Sequence, residues 1–261
     1  MLSLVFLSVR FSILSLIHFL PMNKFFCFSH HLKRHFALLT LLLLGQLSMS
    51  AQNTNDTLRH EVLFKTTMGN IRVVLYNETP RHRDNFLKLV REGYYDGNLF
   101  HRVISNFMIQ SGDSTTRHAQ PGQPVGLYSP DYTIPAEIRF PQIFHKRGAL
   151  AAAREPDDVN PDFASSASQF YIVYGRRMTE DMLDHAQARL DQATHGTVKL
   201  TPEIRQVYNR IGGTPHLDGQ YTVFGEVTEG LDVVKNIQWV ETDDKDRPVE
   251  DVRIIRATVV R

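Results

Sequence analysis

The sequence predicts a mainly β fold: a closed antiparallel barrel with two core helices and a helical excursion in one loop. Three observations carry that expectation. Short runs of apolar or alternating residues recur at close spacing from about residue 61 to the end. Only two segments of this rhythm show a helical period. Short strands in such number also favour closure over a sandwich, because closure removes the edges they would expose.

The elements follow in order. VLFKTT and NIRVVLY, joined through Met68-Gly69-Asn70, read as a hairpin. Thr79 as N-cap and Pro80 in the first turn open RHRDNFLKLVREG, whose apolar stripe is Phe86, Leu89 and Val90 and whose end is Gly93. LFHRVI, FMIQSG, TIPAEI, GALAAA, SQFYIVY, YTVFGEV and DVRIIRATVV read as further strands, with a short helix, GLDVVKNIQ, before the last.

Between Tyr174 and His216 the rhythm changes to two helical patterns. MTEDMLDHAQARLDQ carries Met178, Met182, Ala186 and Leu190 at helical spacing. LTPEIRQVYNRIGG has Thr201 as cap, Pro202 in the first turn, and Ile204, Val207, Tyr208 and Ile211 on one face. Residues 176–213 are therefore expected to be an insertion in a barrel loop. With one apolar stripe per helix, it is expected to pack on itself or against the barrel surface without supplying the barrel core, and to be removable without loss of activity on small peptides.

Residues 1–51 read as a leader starting at Met22: Lys24, Lys33 and Arg34 precede the apolar run Phe36–Leu44, and Ser48, Ser50 and Ala51 offer a cleavage site. The run is short for a membrane span. The expectation is export, periplasmic or secreted, with no stable membrane insertion of the mature chain. Residues 52–60 form a polar linker and 61–261 one domain. Cys27, the only cysteine, lies in the leader, so a mature chain would use neither disulfides nor cysteine catalysis. A net charge of +1 gives no reason to expect a nucleic-acid partner. G-x-x-x-x-G-K, CxxC and H-E-x-x-H are absent, and REPDDVNPD lacks the ordered spacing of a calcium loop. No metal or cofactor is expected, and a monomer is.

Four blocks, FHRVISNFMIQSGD (100–113), GALAAAR (148–154), SASQFYI (166–172) and HLDGQYTVFGEV (216–227), occur in an order that resembles the cyclophilin family of peptidyl-prolyl isomerases. GNIRVVLYNETPRHRDNFLKLVREGYYDGNLF and EGLDVVKNI match as well, so the resemblance covers roughly residues 61–260, apart from the insertion and a long acidic loop near Arg154–Ala167. It implies an eight-stranded barrel capped by two helices and a proline pocket on one face. It also implies cis–trans isomerisation of X–Pro bonds in proline-containing polypeptides, here proteins folding after export.

Residue by residue, Arg102 matches the family's catalytic arginine. Phe107, Met108, Tyr171 and Leu217 match the apolar floor and walls of the pocket. Gln110 matches the amide that supports the arginine and contacts substrate, and Ala153 and Gln169 match residues lining the peptide groove. Arg102, Met108 and Gln110 are separated by even numbers and would share a face on an unbroken strand, but Ser105-Asn106 is expected to break it. Three positions depart from the familiar eukaryotic pattern: Tyr171 replaces a phenylalanine and needs a partner for its hydroxyl, His216 replaces a tryptophan, and Tyr221 replaces a histidine. The alternative is a binding module or chaperone that holds proline segments, or a partner through the insertion, with little catalysis. An intact Arg102, Phe107 and Gln110 favours the enzyme.

The resemblance also carries a prediction about inhibitors. Cyclosporin-type ligands should bind more weakly than to members with tryptophan at the His216 position, since imidazole offers less apolar area than indole. His216→Trp should tighten binding, and calorimetry showing no gain would exclude this residue as the determinant.

Overall fold

The computed structural model describes residues 58–261; the leader and most of the linker lie outside the described residues. β1 (Glu61–Thr66) and β2 (Gly69–Leu75) form the expected hairpin, with Thr66 opposite Gly69 and the glycine at φ 128°. Helix α1 (Pro80–Arg91) follows, then β3 (Arg102–Ile104), β4 (Met108–Ser111), β5 (Thr133–Ile134), β6 (Ala149–Ala152), β7 (Ser165–Ser166) and β8 (Phe170–Val173). Helices α2 (Glu180–Ala193) and α3 (Pro202–Arg210), strand β9 (Val223–Glu229), helix α4 (Leu231–Ile237) and strand β10 (Ile254–Val259) complete the chain.

Eight strands make one curled antiparallel sheet in the order β10-β1-β2-β9-β6-β8-β4-β3. The paired ladder is open between β3 and β10. Irregular backbone spans that seam: Gly97 N–H donates to Ile254 O (2.7 Å), Phe100 N–H to Val252 O (2.8 Å) and Val103 N–H to Asp246 O (2.7 Å). The expected strand over TIPAEI is shorter than read. Only Thr133-Ile134 pairs, in a separate ribbon with β7, and Pro135, which has no N–H to donate, follows at once.

That shortened strand frees Glu137 for another task. Thr79 stands at the N-cap of α1 but its hydroxyl makes no cap bond. The carboxylate of Glu137 takes that role from 56 residues away, accepting from Arg81 N–H (3.2 Å) and His82 N–H (3.0 Å). It also accepts from His82 Nδ1 (2.7 Å), while His82 Nε2 meets Ser165 Oγ (2.9 Å). Burial keeps the His82 imidazole below its ordinary pKa, so the neutral ring links helix, loop and ribbon.

The interior is filled by inward residues of the strands and by both core helices: Phe64, Ile71, Leu150, Phe170 and Ile172 with Phe86, Leu89, Val90, Val234 and Ile237. All of β8 is buried, although the period-2 rule sends its residues to opposite sides. Phe170 and Ile172 enter the interior, while Tyr171 and Val173 join Met108, Ala149, Ala151 and Val223 in a second cluster on the outer face. A sheet buried on both faces at this point is what positions the site.

The insertion is helical as expected. Thr201 caps α3 through Ile204 N–H (3.4 Å), and Leu183, Ala186, Leu190, Val198, Leu200, Ile204 and Tyr208 form a third cluster. Leu183 rather than Met182 is the buried residue of the first turn. The cluster does not pack on itself alone: Phe140 and Phe144 from the loop before β6 close it, and Tyr208 is wholly buried.

Candidate active site

Residues paired across neighbouring strands point to the same side of a sheet. Arg102 on β3 lies opposite Gln110 on β4, Gln110 opposite Tyr171 on β8, and Tyr171 opposite Ala151 on β6. One row thus crosses the outer face, and the next holds Ile104, Met108 and Val173. Asn106, at φ 58°, makes the expected break between β3 and β4, and Phe107 N–H donates to Ile104 O (3.1 Å) to close the turn. Arg102 and Gln110 therefore share a face as cross-strand partners, not as members of one strand.

Arg102, Phe107, Met108, Gln110, Ala153, Tyr171, Leu217 and Tyr221 surround a cavity of about 220 Å³. His216 stands behind it, its ring stacked on Phe107 at 5.5 Å and 30°. Gln169 lines an adjoining groove of about 740 Å³ together with Gln110 and Ala153. All ten residues expected from the sequence thus fall at the cavity, in its groove or directly behind its wall.

Their hydrogen bonds differ from the expectation at one point. Gln110 does not hold the arginine; its Nε2 donates to Gln169 Oε1 (2.9 Å), and Gln169 Nε2 donates in turn to the carbonyls of Gly126 and Tyr128 (3.0 and 3.1 Å). Arg102 is instead held by Asp246 from the seam, through Nε at 3.3 Å. Both side chains are partly open to water, at 43% and 42% exposure, so this pair orients the guanidinium more than it stabilises the fold.

Two further residues at the site escaped the sequence reading. Arg154 lines both cavity and groove, with its guanidinium 4.4 Å from the Tyr221 ring centre and 4.5 Å from that of Phe163. It donates to Gln220 O (2.9 Å) and pairs with Asp157 (2.6 Å), so the acidic loop serves as its clamp. Its place directly after Ala153 in GALAAAR was the available signal. Asp246 had none, being one acid among several in ETDDKDRPVED and 144 residues from Arg102.

The Tyr171 hydroxyl finds its partner in His145 Nε2 (3.0 Å), with the two rings stacked at 6.1 Å. Burial pushes that phenol well above its ordinary pKa, so it stays protonated. His216 is also kept below the usual imidazole range by burial, and then by the neighbouring His145.

His101, beside Arg102 and packed against Gly126, is buried, and among the described residues neither ring nitrogen has a good hydrogen-bond partner. Burial lowers its pKa from 6.5 to about 4, against the pull of Asp113. The unfolded chain therefore binds this proton first as pH falls. Stability should drop as pH falls from about 6.5 to about 4 and level off below, by about 3 kcal/mol for this residue. Urea unfolding of His101→Gln against the parent should show a shallower acid slope in the variant. Parallel slopes would remove His101 as the source.

Comparison with known proteins gives the family and the fold. The family model described as cyclophilin type peptidyl-prolyl cis-trans isomerase/CLD matches residues 61–259. A peptidyl-prolyl cis-trans isomerase-like 1 of Aspergillus fumigatus is 34% identical over 202 residues, covering 77% of this chain and 95% of that protein. A Streptococcus pyogenes protein named for two activities, phosphatase and peptidyl-prolyl cis-trans isomerase, is 36% identical over 198 residues. That match covers 74% of this chain and spans only 37% of the Streptococcus protein. A crystal structure of a Cryptosporidium parvum cyclophilin type peptidyl-prolyl cis-trans isomerase superposes with a TM-score of 0.57 at 22% identity, covering 78% of this chain and 99% of that one. The same parasite protein was also solved in the presence of the dipeptide Ala-Pro, with a TM-score of 0.54, 22% identity, and coverage of 77% of this chain and 99% of that one.

Proposed function

The chain belongs to the family of cyclophilin-type peptidyl-prolyl cis-trans isomerases, and from that premise we propose that its outer-face cavity binds the prolyl ring while Arg102 catalyses rotation about the X–Pro bond. The observation that carries this is the row Arg102–Gln110–Tyr171, which sets a fixed cation at the rim of an apolar cavity.

The X–Pro bond resists rotation because the nitrogen lone pair is delocalised into the carbonyl, with a barrier of roughly 18–20 kcal/mol. In the twisted transition state that conjugation is lost and the imide nitrogen becomes basic. A donor held at that nitrogen binds the twisted state more strongly than either planar isomer, which is the requirement for catalysis. Arg102 has Nε committed to Asp246, which leaves the Nη groups to serve the cavity. Phe107, Met108, Tyr171, Leu217 and Tyr221 hold the ring and exclude water, and this strengthens the arginine's hydrogen bond. Gln110, fixed by Gln169, presents its amide to the flanking peptide, and Ala153, Arg154 and Gln169 line the path of the preceding residues.

The substrates in this reading are proline-containing polypeptides, in keeping with the Ala-Pro dipeptide supplied to the parasite relative. We place them among proteins folding after export, on the strength of the leader pattern before residue 52. Uncatalysed, their X–Pro bonds isomerise over tens to hundreds of seconds, slow enough to limit folding. Cis–trans exchange of a short Ala-Pro peptide, followed by NMR with the purified protein, tests the activity. Binding of the peptide without accelerated exchange would leave a binding module in its place. Cell fractionation with N-terminal sequencing of the mature protein tests export, and a cytoplasmic protein retaining residues 22–51 would overturn it.

A further inference from the structure

The pocket wall and the helical insertion are joined by a run of buried polar groups. Tyr208, in the last turn of α3, donates its hydroxyl to Asp218 Oδ2 (2.6 Å). Asp218 Oδ1 accepts from His145 twice, from the backbone N–H and from Nδ1, each at 2.9 Å. His145 Nε2 meets the Tyr171 hydroxyl at 3.0 Å. Tyr208 and Asp218 are wholly buried, His145 is 1% exposed and Tyr171 5%. Four separate segments are thus tied together: the insertion, the 3-10 turn after it, the loop before β6, and β8.

The chemistry gives the run one direction. Burial holds both phenols well above their ordinary pKa, with the Asp218 carboxylate adding to the effect, so each keeps its proton and donates. With His145 Nδ1 donating to Asp218, Nε2 is left to accept from Tyr171. Every donor in the run therefore points toward Asp218. Buried polar runs of this kind fix geometry when fully satisfied and lose it when one member is removed.

The backbone at the same place is equally constrained. The insertion leaves and rejoins the barrel at Gly175 and Gly213, where Arg176 and Lys146 both bridge to Gly213. Gly213 sits at φ 150° against the carbonyl of His145 and the ring of Tyr208, too close for any side chain. Asp218 directly follows Leu217, a wall of the cavity, and His216, which stacks on Phe107. Tyr208 is thereby linked to Tyr171 and Leu217 through buried hydrogen bonds and the chain itself. The expectation that residues 176–213 could be deleted without consequence for small peptides has this cost to meet: deletion removes Tyr208, the donor to Asp218 Oδ2.

We propose that the helical insertion positions the walls of the proline pocket, acting through the hydrogen-bonded run Tyr208–Asp218–His145–Tyr171. The proposal rests on the reading of the outer-face cavity as the prolyl site. Tyr208 and His145 are positioning residues; neither reaches the cavity itself.

The test uses the two least disruptive changes, Tyr208→Phe and Tyr171→Phe, alone and together, in the full protein. Because each change moves the walls and leaves the guanidinium in place, each single variant should raise KM for an Ala-Pro peptide about three- to tenfold, with a smaller fall in kcat from water admitted beside Arg102. The double variant should be no worse than the worse single one, because both break the same run. In the free protein, Tyr208→Phe should also shift the ε-methyl resonance of Met108, which packs in the same outer cluster as Tyr171. A lowered melting temperature with unchanged KM and unchanged Met108 resonance would reduce Tyr208 to a structural residue of the insertion and overturn the proposal. Multiplying effects of the two changes would do the same. If the Met108 resonance moves but the parent protein shows no peptide exchange, the coupling stands and the reading of the cavity as a catalytic site fails.

Discussion

Replacing Arg102 with alanine should lower kcat/KM for an Ala-Pro peptide at least tenfold and leave the protein folded. A hydrogen bond from a charged donor contributes about 1.5–3 kcal/mol, which is one to two powers of ten in rate. The side chain is 43% exposed and belongs to none of the buried clusters, so its removal opens no cavity. The loss should fall on kcat, because the donor acts on the twisted nitrogen and not on the planar ring. Arg102→Lys should recover little. An ammonium on a flexible stem cannot hold Asp246 with one nitrogen while presenting others to the cavity. Peptide exchange by NMR, with circular dichroism as the control for folding, decides it. Near-parental exchange in a folded Arg102→Ala protein would end the arginine mechanism.

The largest effect on stability is expected at Phe170. Its ring is 1% exposed and stacks on Phe64 at 5.5 Å, with Phe86 and Tyr95 meeting it edge-on at 5.5 and 5.4 Å. Phe170→Ala should cost about 3–5 kcal/mol, from lost transfer energy and from the cavity left among three rings. For a domain of this size that lowers the melting temperature by roughly 6–20 °C. Any variant that stays folded should also lose activity, because its chain neighbours Gln169 and Tyr171 face the groove and cavity. Phe170→Leu should recover much of the loss. A melting temperature within two or three degrees of the parent, read by calorimetry, would show that the aromatic quartet is not the centre of the core.

Local pattern made the strands legible, and alternation made their faces legible. VLFKTT and NIRVVLY were readable as a hairpin for that reason, and FHRVISNFMIQSGD announced the site through its resemblance to a known family. What stayed hidden depends on contacts between distant segments. Thr79 looked like a sufficient cap, yet Glu137 does its work across 55 and 56 residues, because the shortened β5 brings the loop under α1. Tyr208 read as one member of an apolar stripe, which its ring is. Its hydroxyl reaches Asp218 only because the glycine neck folds the insertion back over the loop at His145. Asp246 was one carboxylate in an acidic run, and only the seam selects it.

That seam has a consequence for the order of events in the protein's own lifetime. Asp246 accepts from Val103 N–H with its carbonyl and from Arg102 with its carboxylate, so a single residue both joins the ends of the sheet and aims the guanidinium. β10 then pairs with β1, which was made almost two hundred residues earlier. A chain emerging N-terminus first can build the hairpin, the helix and the apolar floor while its arginine still points nowhere in particular. Contacts so far apart in sequence form late and slowly. Arg102 is thus aimed only after the last strand has closed on the first, and loss of residues 246–261 should cost that aim together with the β10 edge of the sheet and the core residues Val252 and Ile254.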